Sequence, residues 1–171
     1  MKLNVAENLK MAGKTTGVHL TEEYAASDLV GTGIVLSKPV TIQASCTYDG
    51  EGVDLIGTLS TAVRMNCTRC NDEFIRDFTV SFSERFLRTT EKEAEDLECY
   101  SYTGEMLVLD KMILDLLILN APMYGVCKPG CKGLCPNCGV NLNYQNCSCG
   151  EAGENSPFAA LMELKERLKD Q

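Results

Sequence analysis

Ten cysteines stand in a chain of 171 residues, and their spacing is the first place where chemistry can be read. Cys46 and Cys99 are isolated, Cys67 and Cys70 form one pair, and Cys127, Cys131, Cys135, Cys138, Cys147 and Cys149 crowd the last third. The N-terminal residues, with Lys2, Lys10 and Lys14 among scattered polar side chains, contain no apolar stretch followed by a small-residue cleavage site, so a cytosolic chain is expected. A reducing cytosol disfavours structural disulfides, which makes metal the better explanation of so many thiols. Eight of the ten are grouped, and eight is two sets of four, the number of thiolates that closes a tetrahedral structural zinc site. One or two structural zinc ions are therefore expected.

Cys67-Thr68-Arg69-Cys70 falls at the tip of an expected hairpin, where a turn can aim two thiolates and several backbone N–H groups at one metal. A redox dithiol would instead begin a helix after a parallel strand, so that the helix end lowers the thiol pKa. In Cys135-Pro136-Asn137-Cys138-Gly139 the proline stiffens the turn and the glycine lets the backbone fold its amides toward the sulfurs, as in a zinc-ribbon knuckle. With Cys147 and Cys149 this segment offers four sulfurs by itself. Cys127 and Cys131 are then left to meet Cys67 and Cys70, closing a loop of about sixty residues and removing much unfolded-chain entropy. Swapped pairings stay open. The run from Cys131 to Cys138 also has the three-then-two spacing of the cluster loop in radical enzymes that use S-adenosylmethionine, but only 33 residues follow Cys138, too few for the barrel such chemistry requires.

Charge and composition narrow the function classes. Sixteen Lys+Arg against 24 Asp+Glu give a net charge of −8, without tryptophan, which argues against coating nucleic acid through bulk charge. Two all-thiolate zinc sites would carry the total to about −12. Such a surface suits a cationic protein better than a naked phosphate backbone, and any phosphate, base or partner contact falls to Arg64, Arg69, Arg76, Lys128 and Lys132. The single histidine, His19, lies in a polar N-terminal stretch, and no Gly-rich phosphate loop or open metal position is evident, so catalysis has no support. Met112 to Leu119, interrupted by Asp115, is far shorter than the roughly 20 residues of a membrane span. Nothing suggests a small-molecule substrate.

The elements that must position the thiols follow from periodicity. Alternation over Leu55–Met65 and again over Phe74–Phe86 predicts two strands joined around Cys67–Asp72. Val40, Ile42 and Ala44 precede a turn at Tyr48–Gly52 whose Asp-Gly step supplies positive backbone angles, giving an antiparallel meander. Leu3–Val5 and Ile34–Leu36 could extend the sheet or close it toward a barrel. The acid-rich stretch Thr89–Glu98 reads as a solvated loop. Asp110 is placed to cap a helix carrying Met112, Ile113, Leu116 and Leu117, ended by Pro122, with its apolar face on the sheet. A last helix starts at Ser156-Pro157 and carries Phe158, Leu161, Leu164 and Leu168, packing back on the parent domain. The fold class is α+β: an antiparallel sheet covered by one or two helices in a domain of residues 1–126, then a cysteine-rich, zinc-ribbon-like segment with the final helix over 127–171.

Taken in order, Cys67-Thr68-Arg69-Cys70, Phe82-Ser83-Glu84-Arg85-Phe86, Leu119-Asn120-Ala121-Pro122, and the run from Cys131 to Asn143 with Cys147 and Cys149 closely resemble the YceD family, also called DUF177. The likeness spans roughly Val40 to Leu168, and Cys-Lys-Gly-Leu-Cys-Pro-x-Cys-Gly-x-Asn-Leu-Asn is its most specific part. The resemblance implies a bacterial cytosolic factor supporting accumulation of large-subunit 23S ribosomal RNA through its synthesis, processing or stability. It also implies that the genes of such proteins neighbour that of a small zinc-ribbon protein of the large ribosomal subunit. Together with the acidic charge, this leads to an expected partner: a basic large-subunit ribosomal protein or a precursor particle. A direct RNA-binding zinc module that contacts 23S rRNA and a redox-regulated zinc chaperone are the alternatives.

Overall fold

The computed structural model describes residues 1–25, 29 and 32–149. Two compact units are distinguished, one made of Met1–Met65 with Phe74–Met123, the other of Asn66–Glu73 with the chain from Tyr124 onward. In chain order the elements are β1 (Lys2–Asn4), α1 (Ala6–Lys10), β2 (Thr15–Glu22), β3 (Val35–Leu36), β4 (Val40–Tyr48), β5 (Gly52–Asn66), β6 (Glu73–Leu87), α2 (Glu91–Asp96), β7 (Tyr100–Ser101), β8 (Met106–Val108) and α3 (Asp110–Asn120). The class is α+β, as the periodicity predicts. The final helix expected from Ser156 lies outside the described residues.

The main sheet runs β2-β4-β5-β6-β7, with β3 on β5 beyond the end of β4, and β1 pairs separately with β8. Strands β2 with β4, β4 with β5 and β3 with β5 pair antiparallel, β6 with β7 parallel, and the sheet stays open rather than closing into a barrel. Alternation decides which face is apolar: Phe78, Phe82 and Phe86 are buried on β6, while Asp77, Thr79 and Ser81 face water. Those rings join Ile42, Leu55 and Leu59 of the sheet and Met112, Ile113, Leu116 and Leu117 of α3 in one apolar cluster. Helix α3 thus covers the sheet with residues at three- and four-residue spacing.

The β4–β5 turn is held by Asp49, whose carboxylate accepts the N–H groups of Glu51 at 2.9 Å and Gly52 at 2.8 Å. Gly50 takes φ of 106°, the positive angle the Asp-Gly step predicts. Arg85 reaches across from β6 to Asp49 at 2.6 Å and to Asp54 at 2.9 Å. The two backbone donors, then Arg85, hold the Asp49 carboxyl far below the usual carboxylate range.

Two local expectations need correction. Thr89–Glu98 is not a loop throughout, because Thr90 and Glu93 form a reciprocal capping box that starts α2 and turns Ala94 inward. The signal was the Thr-x-x-Glu spacing, outweighed by the density of acids. Asp110 does not cap α3: Leu109 occupies that position, and the Asp110 carboxylate instead binds the Met1 ammonium and the Tyr24 hydroxyl. The polar N-terminal stretch around His19 forms strand β2, along which Thr16, Val18 and Leu20 alternate with exposed neighbours beside β4. Among the described residues no helix is long and apolar enough to cross a membrane.

Gly57 pairs with Ala44, and a Cβ added there would lie 2.2 Å from the Gln43 carbonyl oxygen and 2.5 Å from the Ala44 Cα. Backbone cannot yield as a side-chain end can. Gly57→Ala should therefore lower stability by about 3 kcal/mol in urea unfolding. Gly17→Ala, with no atom within 4 Å of the added carbon, should change it by less than about 0.5 kcal/mol.

Candidate metal centres

In the second unit, every buried residue among those described is a cysteine or a glycine: Cys67, Cys70, Gly125, Cys131, Gly133 and Cys135. Among the described residues no aliphatic or aromatic core orders it, and the sulfur clusters form their interior.

Two sets of four thiols could each hold a metal ion, Cys67, Cys70, Cys127 and Cys131 in the first and Cys135, Cys138, Cys147 and Cys149 in the second, the sulfurs of each set within 4.8 Å of one another. Both are built on the same backbone device. Cys67 N–H donates to the Asp72 carbonyl at 2.8 Å and Asn71 N–H to the Cys67 carbonyl at 2.8 Å; Cys135 N–H donates to Val140 at 2.8 Å and Gly139 N–H to Cys135 at 2.9 Å. The residue after each Cys-x-x-Cys is left-handed, Asn71 at φ 61° and Gly139 at φ 74°. That bend curls the chain around its first sulfur.

The first set is completed across the chain. Thr68 N–H donates to the Gly125 carbonyl at 2.9 Å, which brings Cys127 beside the tip, and Cys127 N–H then donates to Cys67 Sγ at 3.4 Å. The Arg69 guanidinium donates to the Cys131 carbonyl at 3.2 Å. Leu134 N–H continues this seam to the Arg69 carbonyl at 3.0 Å.

The sulfur spacing suits a tetrahedrally bound zinc ion, more closely in the first set than in the second. Zinc–sulfur bonds of 2.3 Å place neighbouring sulfurs about 3.8 Å apart. Cys67 and Cys131 are separated by 3.8 Å and Cys70 and Cys127 by 3.7 Å; Cys135 and Cys147 are closer, at 3.3 Å. Burial opposes ionisation of Cys67, but the N–H groups of Cys127, Cys70 and Arg69 outweigh it and bring this thiol down to about 6. The N–H groups of Cys138 and Asn137 do the same for Cys135, also to about 6. Cys70 and Cys149 move the other way. Burial, then the Cys67 and Cys131 sulfurs, push Cys70 up, and Cys138 and Cys147 push Cys149 up to about 12. Each set thus holds a lowered thiol beside raised ones, Cys70 and Cys127 in the first and Cys147 and Cys149 in the second, which need a nearby positive charge before they can follow.

The other singled-out residues are distributed differently. Arg69, Lys128 and Lys132 are exposed on the second unit, whereas Arg64 on β5 and Arg76 on β6 are exposed on the first. Exposed His19 lies on β2. Cys46 is buried in the sheet cluster and Cys99 half-buried; burial pushes both thiols up. Asp72, Asn141, Asn143 and Tyr144, which bond around the first set, were not singled out as site residues. The signal was an Asn-x-Asn-Tyr stretch in a segment without apolar periodicity.

The family model described as large ribosomal RNA subunit accumulation protein YceD matches residues 55–165. An uncharacterized protein of Mycobacterium tuberculosis H37Rv is 34% identical over 95 residues, covering 54% of this chain and 46% of the relative. The chloroplastic large ribosomal RNA subunit accumulation protein YCED homolog 1 of Arabidopsis thaliana is 22% identical over 160 residues, 77% of this chain and 50% of its own length. Its Zea mays counterpart is 26% identical over 156 residues, 73% and 53% of the two chains. This chain spans about half the length of the curated relatives it matches. No solved structure matches it.

The left-handed backbone at Asn71 gives a direct check on the knuckle. Asn71→Gly should leave thermal stability unchanged or raise it, whereas Asn71→Val should cost about 1–2 kcal/mol through its Cβ. Equal midpoints for the two variants would contradict the assigned conformation.

Proposed function

This chain belongs to the YceD family, and from that premise we propose that it is a non-catalytic factor in biogenesis of the large ribosomal subunit, supporting accumulation of 23S rRNA. The observation that carries this reading is the family match, which runs through the β5–β6 hairpin and both thiol sets. Each set would bind one structural zinc ion. Four thiols fill a tetrahedron and leave no position for a reacting water, so the metals order the chain rather than catalyse. Work in the cytosol of a bacterium goes with this role.

The partner we favour is a basic large-subunit ribosomal protein, alone or within a precursor particle. The net charge of −8 supports this choice, since an acidic chain is repelled by bare RNA and attracted to the cationic proteins that RNA must later receive. A second reading, direct contact with 23S rRNA, draws on Arg69, Lys128 and Lys132, which are exposed around the thiol sets. That contact would weaken steeply with salt.

Two experiments test these proposals. Tagged protein is recovered from its own cells at physiological salt, with and without nuclease; retention of a basic large-subunit protein after nuclease supports the favoured partner, and loss of every ribosomal protein together with RNA contradicts it. Separately, stripping metal with a strong chelator under reducing conditions should abolish hydrogen-exchange protection in residues 66–73 and 127–149 while β4 to β6 keep theirs within residues 40–65 and 74–87. Unchanged exchange around the thiols would remove the structural role of metal.

A further inference from the structure

The two thiol sets share no ligand, yet the loop that joins the ligands of one carries side chains committed to the other. Residues between Cys138 and Cys147 are bounded on both sides by the distal set, Cys135, Cys138, Cys147 and Cys149. Their polar groups bond around the proximal set. The Asn143 side-chain amide donates to Cys131 Sγ at 3.3 Å, and its oxygen accepts the Lys132 N–H at 3.0 Å. Asn141 Nδ2 donates to Asp72 Oδ1 at 3.0 Å and the Tyr144 hydroxyl to Asp72 Oδ2 at 3.0 Å. Asp72 in turn accepts the Cys67 N–H through its carbonyl at 2.8 Å. The Asn141 side-chain oxygen fixes Asn143 itself, accepting its backbone N–H at 3.0 Å and its side-chain amide at 2.8 Å.

We propose that Asn141, Asn143 and Tyr144 are positioning residues that couple the two sets, so that zinc in one strengthens zinc binding in the other. The proposal rests on the zinc reading above. Metal in the distal set fixes the path of residues 139–146, and only a fixed loop holds the Asn143 amide on the Cys131 sulfur and the Asn141 and Tyr144 donors on Asp72. An N–H donated to a thiolate stabilises its charged form, the form that binds metal. Outer-shell partners of this kind change metal affinity by about 10- to 100-fold. By linkage the effect is reciprocal, and zinc in the proximal set tightens the distal set by the same factor.

The test is a double-mutant cycle on the full, reduced, metal-free chain, titrated with Zn²⁺ against a chromophoric chelator. Asn143→Ala is compared in two backgrounds, the natural chain and the Cys147→Ser/Cys149→Ser variant that lacks the distal set. With the distal set intact, Asn143→Ala should weaken proximal binding about tenfold; without it, the same substitution should change affinity less than about twofold. Co²⁺ supplies a readout that a merely structural role would not move. Loss of the amide bond raises the donor energy of the sulfur, so the thiolate-to-cobalt charge-transfer band should shift to lower energy in Asn143→Ala, and only where the distal set is intact. Equal weakening in both backgrounds, or none in either, overturns the coupling while two zinc ions per chain leave the zinc reading standing. A natural chain that takes up no zinc overturns both.

Discussion

Sulfur atoms crowded within 4.8 Å of one another cannot all ionise without a positive charge among them, and this constraint is met twice in the same small unit. Everything else there depends on how it is resolved. Among its described residues the unit buries only cysteine and glycine, with no apolar cluster among them. The backbone fans N–H groups around Cys67 and Cys135, which lowers both thiols, while Cys70 and Cys149 are pushed up. The first unit follows the opposite logic: its stability comes from a continuous apolar cluster between an open sheet and α3, with Phe86 and Leu117 fully buried.

Much of this arrangement is legible in the residues, and the reasons differ by element. Strands β5 and β6 announce themselves because apolar residues alternate through Leu55–Met65 and Phe74–Phe86, most of each strand. The β4–β5 turn is legible because Asp-Gly has few alternatives. Spacing offers one division of the thiols and leaves swapped pairings open: a Cys-x-x-Cys near Cys147 and Cys149 needs no distant partner, and Cys127 and Cys131 could then meet the hairpin tip.

What escaped reading was decided by contacts that have no periodic trace. Helix α2 depends on one reciprocal cap between Thr90 and Glu93, too local to outweigh a run of acids. Asp110 was drawn from the expected capping role by the Met1 ammonium, more than a hundred positions away in the chain. Asn141, Asn143 and Tyr144 act through side-chain bonds to Asp72 and Cys131, and no spacing rule links residues so far apart. The family likeness adds what neither periodicity nor geometry supplies, a connection to large-subunit ribosomal RNA.

The order of the second unit depends on what fills the two thiol sets. Native mass spectrometry of the full chain, purified under reducing conditions without added metal and paired with elemental analysis, measures this directly. Two zinc ions per chain, falling to one in Cys147→Ser/Cys149→Ser, is the predicted result. A metal-free chain, or one whose thiols are consumed in disulfides while its second unit stays ordered, would contradict it.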